Sequence, residues 1–274
     1  MDAIKKIYAN ENNQKVPYTG LQFVSPQEFG NYLRARVKDK LHDTIHREKI
    51  QVEIINALES TGFSNEELRS KIQKDFSSTI EVKNWLIGEF LTECILEDNY
   101  DVKFHYNHFR DAKNPNANQT GTDIVGFCQI NNETYFVFGE VKTSQDTSSP
   151  PSVIYGRTGM QSQLKDLLSN SKTKQCLLQW LANKIVPLPK DNVFRQDYEK
   201  ALVTYYKSKK KKFKLFGVLV RDTVPNELDI KAKAHEINNY IHMDTEAEFI
   251  AIYSGLKMEN DAWINIVKEA DCDK

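Results

Sequence analysis

Two neighbouring segments, residues 122–130 and 134–143, are apolar and aromatic enough for the centre of a β-sheet, yet both carry charged residues. Asp123 stands at the start of the first segment, and Glu140 and Lys142 stand near the end of the second. Charge in a sheet interior is costly unless it is paired or bound to a metal ion. The sequence therefore predicts two adjacent strands whose acids and lysine have a chemical use.

The rest of the chain alternates helical and strand patterns around this pair. The first 24 residues look irregular, apart from a short strand near residues 21–24, and the polar segment 143–158 is predicted to be a mobile loop. A hairpin turn is expected at residues 131–133. Helices are expected at about 25–47, 64–78, 80–96, 159–169, 172–184, 193–207, 227–240 and 260–270, and further strands at about 102–109, 213–220 and 249–253. This order predicts an α/β fold with a mixed sheet flanked by helices.

The front of the chain is expected to be mainly helical and highly charged. Ser25, Pro26 and Glu28 form a helix start, with an N-cap serine, proline at the first helical position and an acid at the third. We divide the chain into an N-terminal region, 1–78, as a candidate surface for partner docking, and an α/β domain, 79–274.

The acids of the strand pair suit a divalent metal site. Hydrolysis of a phosphodiester needs a positioned water and stabilisation of charge on the phosphate oxygens, and Mg²⁺ supplies both. Asp123 and Glu140 are the predicted ligands, with the Val141 backbone carbonyl as a further candidate and Mn²⁺ as an expected substitute for Mg²⁺. Lys142 follows Glu140 by two residues, so both side chains face one side of the strand. Lys142 is therefore predicted to act on the water or the phosphate.

A third acid, Glu89, lies on the apolar helix that precedes these strands. It is predicted to be a metal ligand or an organiser of the site, and the alternative is a helix-surface carboxylate or a salt bridge. Glu93, one helical turn further on, shares that face and the same alternatives.

The alternative for the whole motif is a set of ordinary surface charges on an edge hairpin. The apolar flanks favour central strands, and the glycines at 121, 126 and 139 permit the close approach of another backbone. Both observations favour the site.

The order of these motifs resembles the PD-(D/E)xK nuclease superfamily: a helix with Gly88-Glu89, then Gly121-Thr122-Asp123, then Glu140-Val141-Lys142. Thr122 stands where many members have proline. The chain is more specifically similar to HamA, the effector family of the Hachiman antiphage system. The resemblance implies a restriction-endonuclease-like fold and a Mg²⁺-dependent DNA nuclease that works with a separate helicase subunit, HamB. The chain itself has no GxxxxGK[ST] loop, so a partner would have to drive ATP hydrolysis.

A rival function belongs to another class, a non-catalytic interaction protein on a degenerate nuclease fold. The presence of every expected acid and of the lysine argues against degeneration.

Two further features are candidates for nucleic-acid contact. Gln163 lies on the helix after the second strand, as does Gln161, and either faces the site or simply faces water. A basic run includes Lys209, Lys210, Lys211 and Lys212. It would bind phosphate, solubilise a loop, or meet an acidic surface of a partner.

Composition limits the class of protein further. The net charge of −1 means that DNA contact must come from a local patch. Four scattered cysteines without finger spacing favour reduced thiols in a cytosol. No signal peptide or membrane-spanning apolar run is visible, so the expected location is cytoplasmic.

Overall fold

Runs of β-branched and aromatic residues form one mixed sheet, in a computed structural model that describes residues 3–10, 15–62, 65–76, 80–105, 107 and 122–268. Six strands in these ranges pair in the order β1-β2-β6-β5-β4-β3. They are β1 Ile4–Ala9, β2 Tyr18–Phe23, β3 Ile124–Ile130, β4 Glu133–Ser144, β5 Lys214–Arg221 and β6 Glu246–Tyr253. The four inner strands are parallel, and β1 and β3 run antiparallel at the edges.

Helices cover both faces of this sheet. They are α1 Pro26–Tyr32, α2 Lys38–His42, α3 Thr44–Ser60, α4 Glu66–Asp75, α5 Asn84–Tyr100, α6 Met160–Ser169, α7 Ser171–Ile185, α8 Val193–Lys207, α9 Lys231–Ile237 and α10 Ala262–Lys268. A π-helical stretch, Leu33–Val37, joins α1 to α2. The Ser25 hydroxyl accepts a hydrogen bond from the Glu28 N–H at 3.1 Å, which confirms the predicted helix start. The predicted α/β fold, a mixed sheet flanked by helices, is confirmed.

Successive side chains of β4 point to opposite faces of the sheet, where they pack into two separate apolar layers. Val137 and Val141 face a layer that includes α5, whereas Phe136 and Phe138 face a layer that includes α6, α7 and α8. Because side chains alternate along a strand, Glu140 continues the face of Phe136 and Phe138. The side chains of Glu140 and Lys142 therefore lie on the α6–α8 side of the sheet, whereas Glu89 belongs to α5 in the opposite layer.

The β3–β4 hairpin turns as the sequence predicts. Asn131 and Asn132 have φ values of +51° and +64°, and the ladder closes with Ile130 opposite Glu133. A two-residue turn with positive φ at both positions matches the twist of the flanking strands, and asparagine tolerates that backbone well. This turn sets the register in which Ile124 lies opposite Gly139.

The short strand expected near residues 21–24 corresponds to the second half of β2, but the rest of the expected irregular chain start is wrong, because β1 and residues 18–20 also belong to strands of the main sheet. The outward-facing Lys5 and Lys6 on β1 obscured its pattern, as charges often do on an edge strand. The pairing of β2 with β6 joins residues more than two hundred positions apart. No local sequence pattern predicts a contact between residues so far apart in the chain.

The strand expected at about 102–109 is also wrong in its described part. Residues 102–105 and 107 contain only one isolated bridge, between Lys103 and Phe127. Residues 106 and 108–109, like the Asn/Pro-rich segment that follows, lie outside the described residues. The bridge attaches the chain to the outer edge of β3 at a single point.

The helices of the predicted N-terminal region differ in how they pack. Phe29, Leu33 and Leu41 are fully buried in the α5 layer, so α1 and α2 belong to the α/β body. In contrast, α3 has no buried residue, and α4 buries only Ile72. The role of residues 1–78 in docking stays a prediction, and α3 and α4 are its exposed part.

Candidate active site

The site lies where the ladder between β3 and β4 opens. The last pair is Ile124 with Gly139, so Asp123 and Glu140 stand just beyond it. Asp123 Oδ2 accepts a hydrogen bond from the Val141 N–H at 2.9 Å. The Thr122 hydroxyl donates to the Gly139 carbonyl. These two contacts hold the start of β3 against the middle of β4.

Glu140 and Lys142 meet on one face of β4, as their spacing predicts. Lys142 Nζ lies 2.6 Å from Glu140 Oε1. The Glu140 side chain is only 2 % exposed, whereas that of Lys142 is 22 % exposed. Glu140 also hydrogen-bonds with Asp123. The structure therefore brings both Asp123 and Lys142 to the carboxylate of Glu140.

The acids of this site crowd one another. Burial, followed by the charge of Asp123, raises the pKa of Glu140 to about 8, even though Lys142 acts in the opposite direction. Burial also raises the pKa of Glu89 well above its usual value, and the charges of Asp123, Glu93 and Glu140 add to the effect. Close carboxylates in a poorly solvated place resist simultaneous ionisation. A bound cation would relieve that repulsion.

Glu89 is near enough to this group to interact with its charges, and α5, which carries it, lies very close to β4. A Cβ atom added at Gly88 would be 1.9 Å from the Thr143 Oγ1 atom, so any larger residue would force the helix or the Thr143 side chain to move. Close approach is confirmed at Gly126 and Gly139, where an added Cβ would lie 2.9 and 2.5 Å from backbone carbonyls, while position 121 is outside the described residues. The structural use of Gly88 was not predicted, since its neighbour Thr143 belongs to another element.

Glu93 is an ion-pair residue of the helical layer. Its Oε2 atom lies 3.1 Å from Lys40 Nζ on α2, and Lys40 also lies 2.6 Å from Glu97 Oε1. Burial raises the pKa of Glu93, and the nearby Lys40 opposes that shift. The salt-bridge alternative is thus the geometry found for Glu93.

A cleft of about 440 Å³ opens beside Glu140 and is lined by Thr122, Glu140, Arg157, Ser162, Gln163, Asp166, Leu167 and Thr173. Gln163 lies against Glu140, and with its amide oriented for hydrogen bonding it donates to Glu140 Oε2 at 2.6 Å. Gln161 instead contacts Lys233 at 2.6 Å and Glu236. Gln163 is therefore the α6 glutamine at the site. Arg157, Ser162 and Thr173 were not predicted, because no local motif marks them.

The basic run lies at the other end of β4. Lys209 and Lys210 have positive φ values and lie in a turn, and Lys212 forms an ion pair with Glu133. Glu133 precedes Glu140 by seven residues on the strand, which corresponds to roughly 23 Å at the usual rise. The structure thus does not bring Lys209, Lys210, Lys211 or Lys212 to the acids.

The donors of the site fit a hard divalent cation with few protein ligands. Among the described residues, no three His, Cys, Asp or Glu side chains lie close enough together to hold one ion. Mg²⁺ needs only one or two carboxylates, since it keeps several waters. The N–H and C=O of one strand residue point to the same side, so the Val141 carbonyl faces the same edge as its N–H. Asp123, Glu140 and this carbonyl form a suitable oxygen set, and Glu89 as a direct ligand stays a prediction.

Within the described ranges, no helix has the length and apolar character needed to cross a bilayer. Comparison with curated proteins and with solved structures gave no match. The HamA family profile matches residues 4–253, which includes every strand of the sheet and the whole candidate site. On that coverage, the chain belongs to the HamA family.

Proposed function

We propose that this chain is a metal-dependent DNA nuclease of the PD-(D/E)xK type, the effector of a Hachiman antiphage complex with a HamB-like helicase. One observation carries the nuclease part. Asp123, Glu140 and Lys142 meet where β3 and β4 separate, beside a cleft that is open to a substrate. Two carboxylates and a lysine in this arrangement suit phosphodiester hydrolysis.

In this proposal Asp123, Glu140 and the Val141 carbonyl hold Mg²⁺. The ion, when bound, stabilises negative charge on the phosphate oxygens. Asp123 is kept in place by the Val141 N–H, and Glu140 by Lys142 and Gln163. These contacts orient the carboxylates before substrate arrives, which lowers the cost of reorganisation during the reaction.

Lys142 has the catalytic role in the proposal. Its ammonium group is partly exposed and lies next to Glu140, so it can also reach a group in the cleft. The water oxygen loses a proton and forms a P–O bond, one P–O ester bond breaks, and the departing sugar oxygen takes up a proton, while negative charge grows on the phosphate oxygens in the transition state. A lysine at this position stabilises that charge or polarises the attacking water. Glu89 supports the site as an additional carboxylate, whose negative charge interacts with those of Asp123 and Glu140.

The rival function, a non-catalytic interaction protein, is separated from a nuclease by a plasmid-nicking assay. Wild-type protein should nick the plasmid in the presence of Mg²⁺ or Mn²⁺, and the nicking should stop when EDTA is added. Glu140→Ala should show no nicking above background. Glu199→Ala serves as the matched control, because Glu199 is an exposed acid on α8 that pairs with Arg195. Equal, low nicking by all three proteins, alone and with the helicase, would favour the rival.

A partner is part of the proposal because this chain lacks a phosphate loop for ATP hydrolysis. The exposed helices α3 and α4 are the proposed docking surface, since they bury almost nothing against the body of the protein. A free nuclease would damage its host, so the complex is expected to stay nearly silent until the helicase engages DNA.

A further inference from the structure

Arg157 is a cation of the active-site cleft that has no partner in the described part of the chain. It lines the same cleft as Glu140 and Gln163. Three other cations make ion pairs instead: Lys142 pairs with Glu140, and Lys165 and Lys233 both pair with Glu236. Arg157 is exposed and stands between Gly156, at φ +80°, and α6. Its guanidinium group is therefore accessible to a ligand in the cleft.

The chain segment that carries Arg157 is fixed at its base. Arg221 and Asp229 form a buried ion pair, with side chains 1 % and 0 % exposed. Arg221 also donates to the backbone carbonyls of Asp146 and Ser148. Although the sequence predicts a mobile loop here, these contacts tie its first residues to the end of β5.

The middle of the same segment is held in a similar way. The Asp146 carboxylate accepts hydrogen bonds from the N–H groups of Ser148 at 2.9 Å and Ser152 at 2.8 Å. Ile154 is fully buried in the layer that faces α6. Arg157 follows the buried Ile154 by three residues, so its backbone is held at the cleft before any ligand binds.

The charges of the cleft explain why a cation is needed there. Glu140 and Asp166 are both acids, and Asp166 already accepts hydrogen bonds from Thr173 and Asn170. The whole chain has a net charge of −1, so it has no general attraction for DNA. A guanidinium group binds phosphate through two parallel hydrogen bonds and keeps its charge at all relevant pH values.

We propose that Arg157 forms a phosphate subsite of the cleft, which binds a backbone phosphate of the DNA strand next to the phosphate that is cut. This inference rests on the proposed nuclease function and names how its substrate is held. Arg157 acts as a positioning residue: it binds the strand but takes no part in bond cleavage. Its loss should therefore weaken DNA binding more than it slows the chemical step.

The test measures binding apart from cleavage. A fluorescent duplex oligonucleotide is titrated with full-length Lys142→Ala protein in Ca²⁺, with and without Arg157→Gln, over a series of salt concentrations. Arg157→Gln should weaken binding about 10-fold and lower the slope of log K against log salt by about 0.9, the value for one phosphate contact. Lys190→Gln is the control, because it removes one exposed positive charge outside the cleft. It should change neither quantity by much.

Conservative replacement provides a second readout. Arg157→Lys should restore most of the salt slope, since the charge remains, but only part of the affinity, since the bidentate geometry is lost. In the cleavage-competent chain, Arg157→Gln should raise KM with a much smaller effect on kcat. Unchanged affinity and slope in Arg157→Gln, or equal losses in Lys190→Gln, would overturn the subsite. Absence of cleavage by the wild type would overturn the nuclease function alone, because the binding titration does not depend on turnover.

Discussion

Among single residues, Lys142 has the most specific expected role, since its ammonium group lies 2.6 Å from Glu140 Oε1 at the edge of the cleft. Lys142→Ala should reduce the rate of DNA cleavage at least 100-fold, because it removes the positive charge next to the reacting phosphate. The melting temperature should stay close to the wild-type value, since the side chain is partly exposed and is not part of the core. Single-turnover cleavage and thermal unfolding check both statements. Wild-type cleavage by Lys142→Ala would contradict the assignment.

The raised pKa of Glu140 predicts that the proposed metal binding depends on pH. Burial and the charge of Asp123 raise its pKa to about 8 from 4.5, so below pH 8 the metal-free carboxyl holds a proton that a cation must displace. Mg²⁺ affinity should rise by about tenfold per pH unit towards pH 8 and level off above it. Calorimetry from pH 6 to 9, in buffers of different ionisation enthalpy, measures the affinity and the released proton. A flat profile would contradict either the raised pKa of Glu140 or its binding of the ion, and Glu140→Gln, which should weaken Mg²⁺ binding only if Glu140 is a ligand, separates the two.

The same shift affects stability without metal. The folded carboxyl has a higher pKa than the unfolded one, so the folded state binds more protons between pH 4.5 and about 8. The metal-free protein should therefore lose stability as pH rises through that range. Glu140→Gln should reduce this loss and should also weaken Mg²⁺ binding, while Glu89 continues to titrate in the same direction. Denaturant unfolding at several pH values, with EDTA present, measures the difference.

At the scale of elements, the contact between α5 and β4 depends on Gly88. Gly88→Ala places a Cβ atom 1.9 Å from Thr143 Oγ1, so the helix must move or Thr143 must rotate. We expect a loss of about 1–3 kcal/mol in the free energy of unfolding, as for other overpacked sites. Cleavage should fall as well, because Glu89 is displaced with the helix. Chemical denaturation and cleavage assays measure the two effects.

Two comparisons make the Gly88 prediction specific. Gly30→Ala, in α1, should be neutral or slightly stabilising, because its added Cβ would lie no nearer than 3.6 Å to any neighbour. Thr143→Ala should rescue Gly88→Ala, since it removes the clashing oxygen, which has no hydrogen-bond partner among the described residues. A Gly88→Ala protein as stable as the wild type would mean that the two elements are not closely packed at this point.

At the scale of the whole molecule, the exposed pair α3–α4 can be separated from the α/β body. Deletion of residues 1–78 would remove β1 and β2 from the sheet, so it cannot test docking. Replacement of residues 44–76 by a flexible Gly/Ser linker should leave the melting temperature nearly unchanged, because α3 buries no residue and α4 buries one. It should abolish co-purification with the helicase. Full recovery of the partner with this variant would move the docking surface elsewhere.

The sequence alone predicted the features that depend on neighbours along the chain. Glu140 and Lys142 share a face because strands alternate, and Asn131 and Asn132 turn the hairpin because asparagine tolerates positive φ. Most strands and helices begin and end within a few residues of the predicted limits. Short-range spacing therefore predicted the contact between Glu140 and Lys142, and the short hairpin loop predicted that β3 and β4 are neighbours.

Tertiary structure decided what the spacing could not. It placed β2 beside β6 and Gly88 against Thr143. It also placed Gln163, and not Gln161, in the lining of the cleft. It also left the basic run far from the acids and placed Arg157 in the lining of the cleft beside Glu140. Sequence spacing sets directions within one element, whereas the distance between elements depends on how the two apolar layers pack against the sheet. That packing is a property of the whole chain, so no single segment reports it.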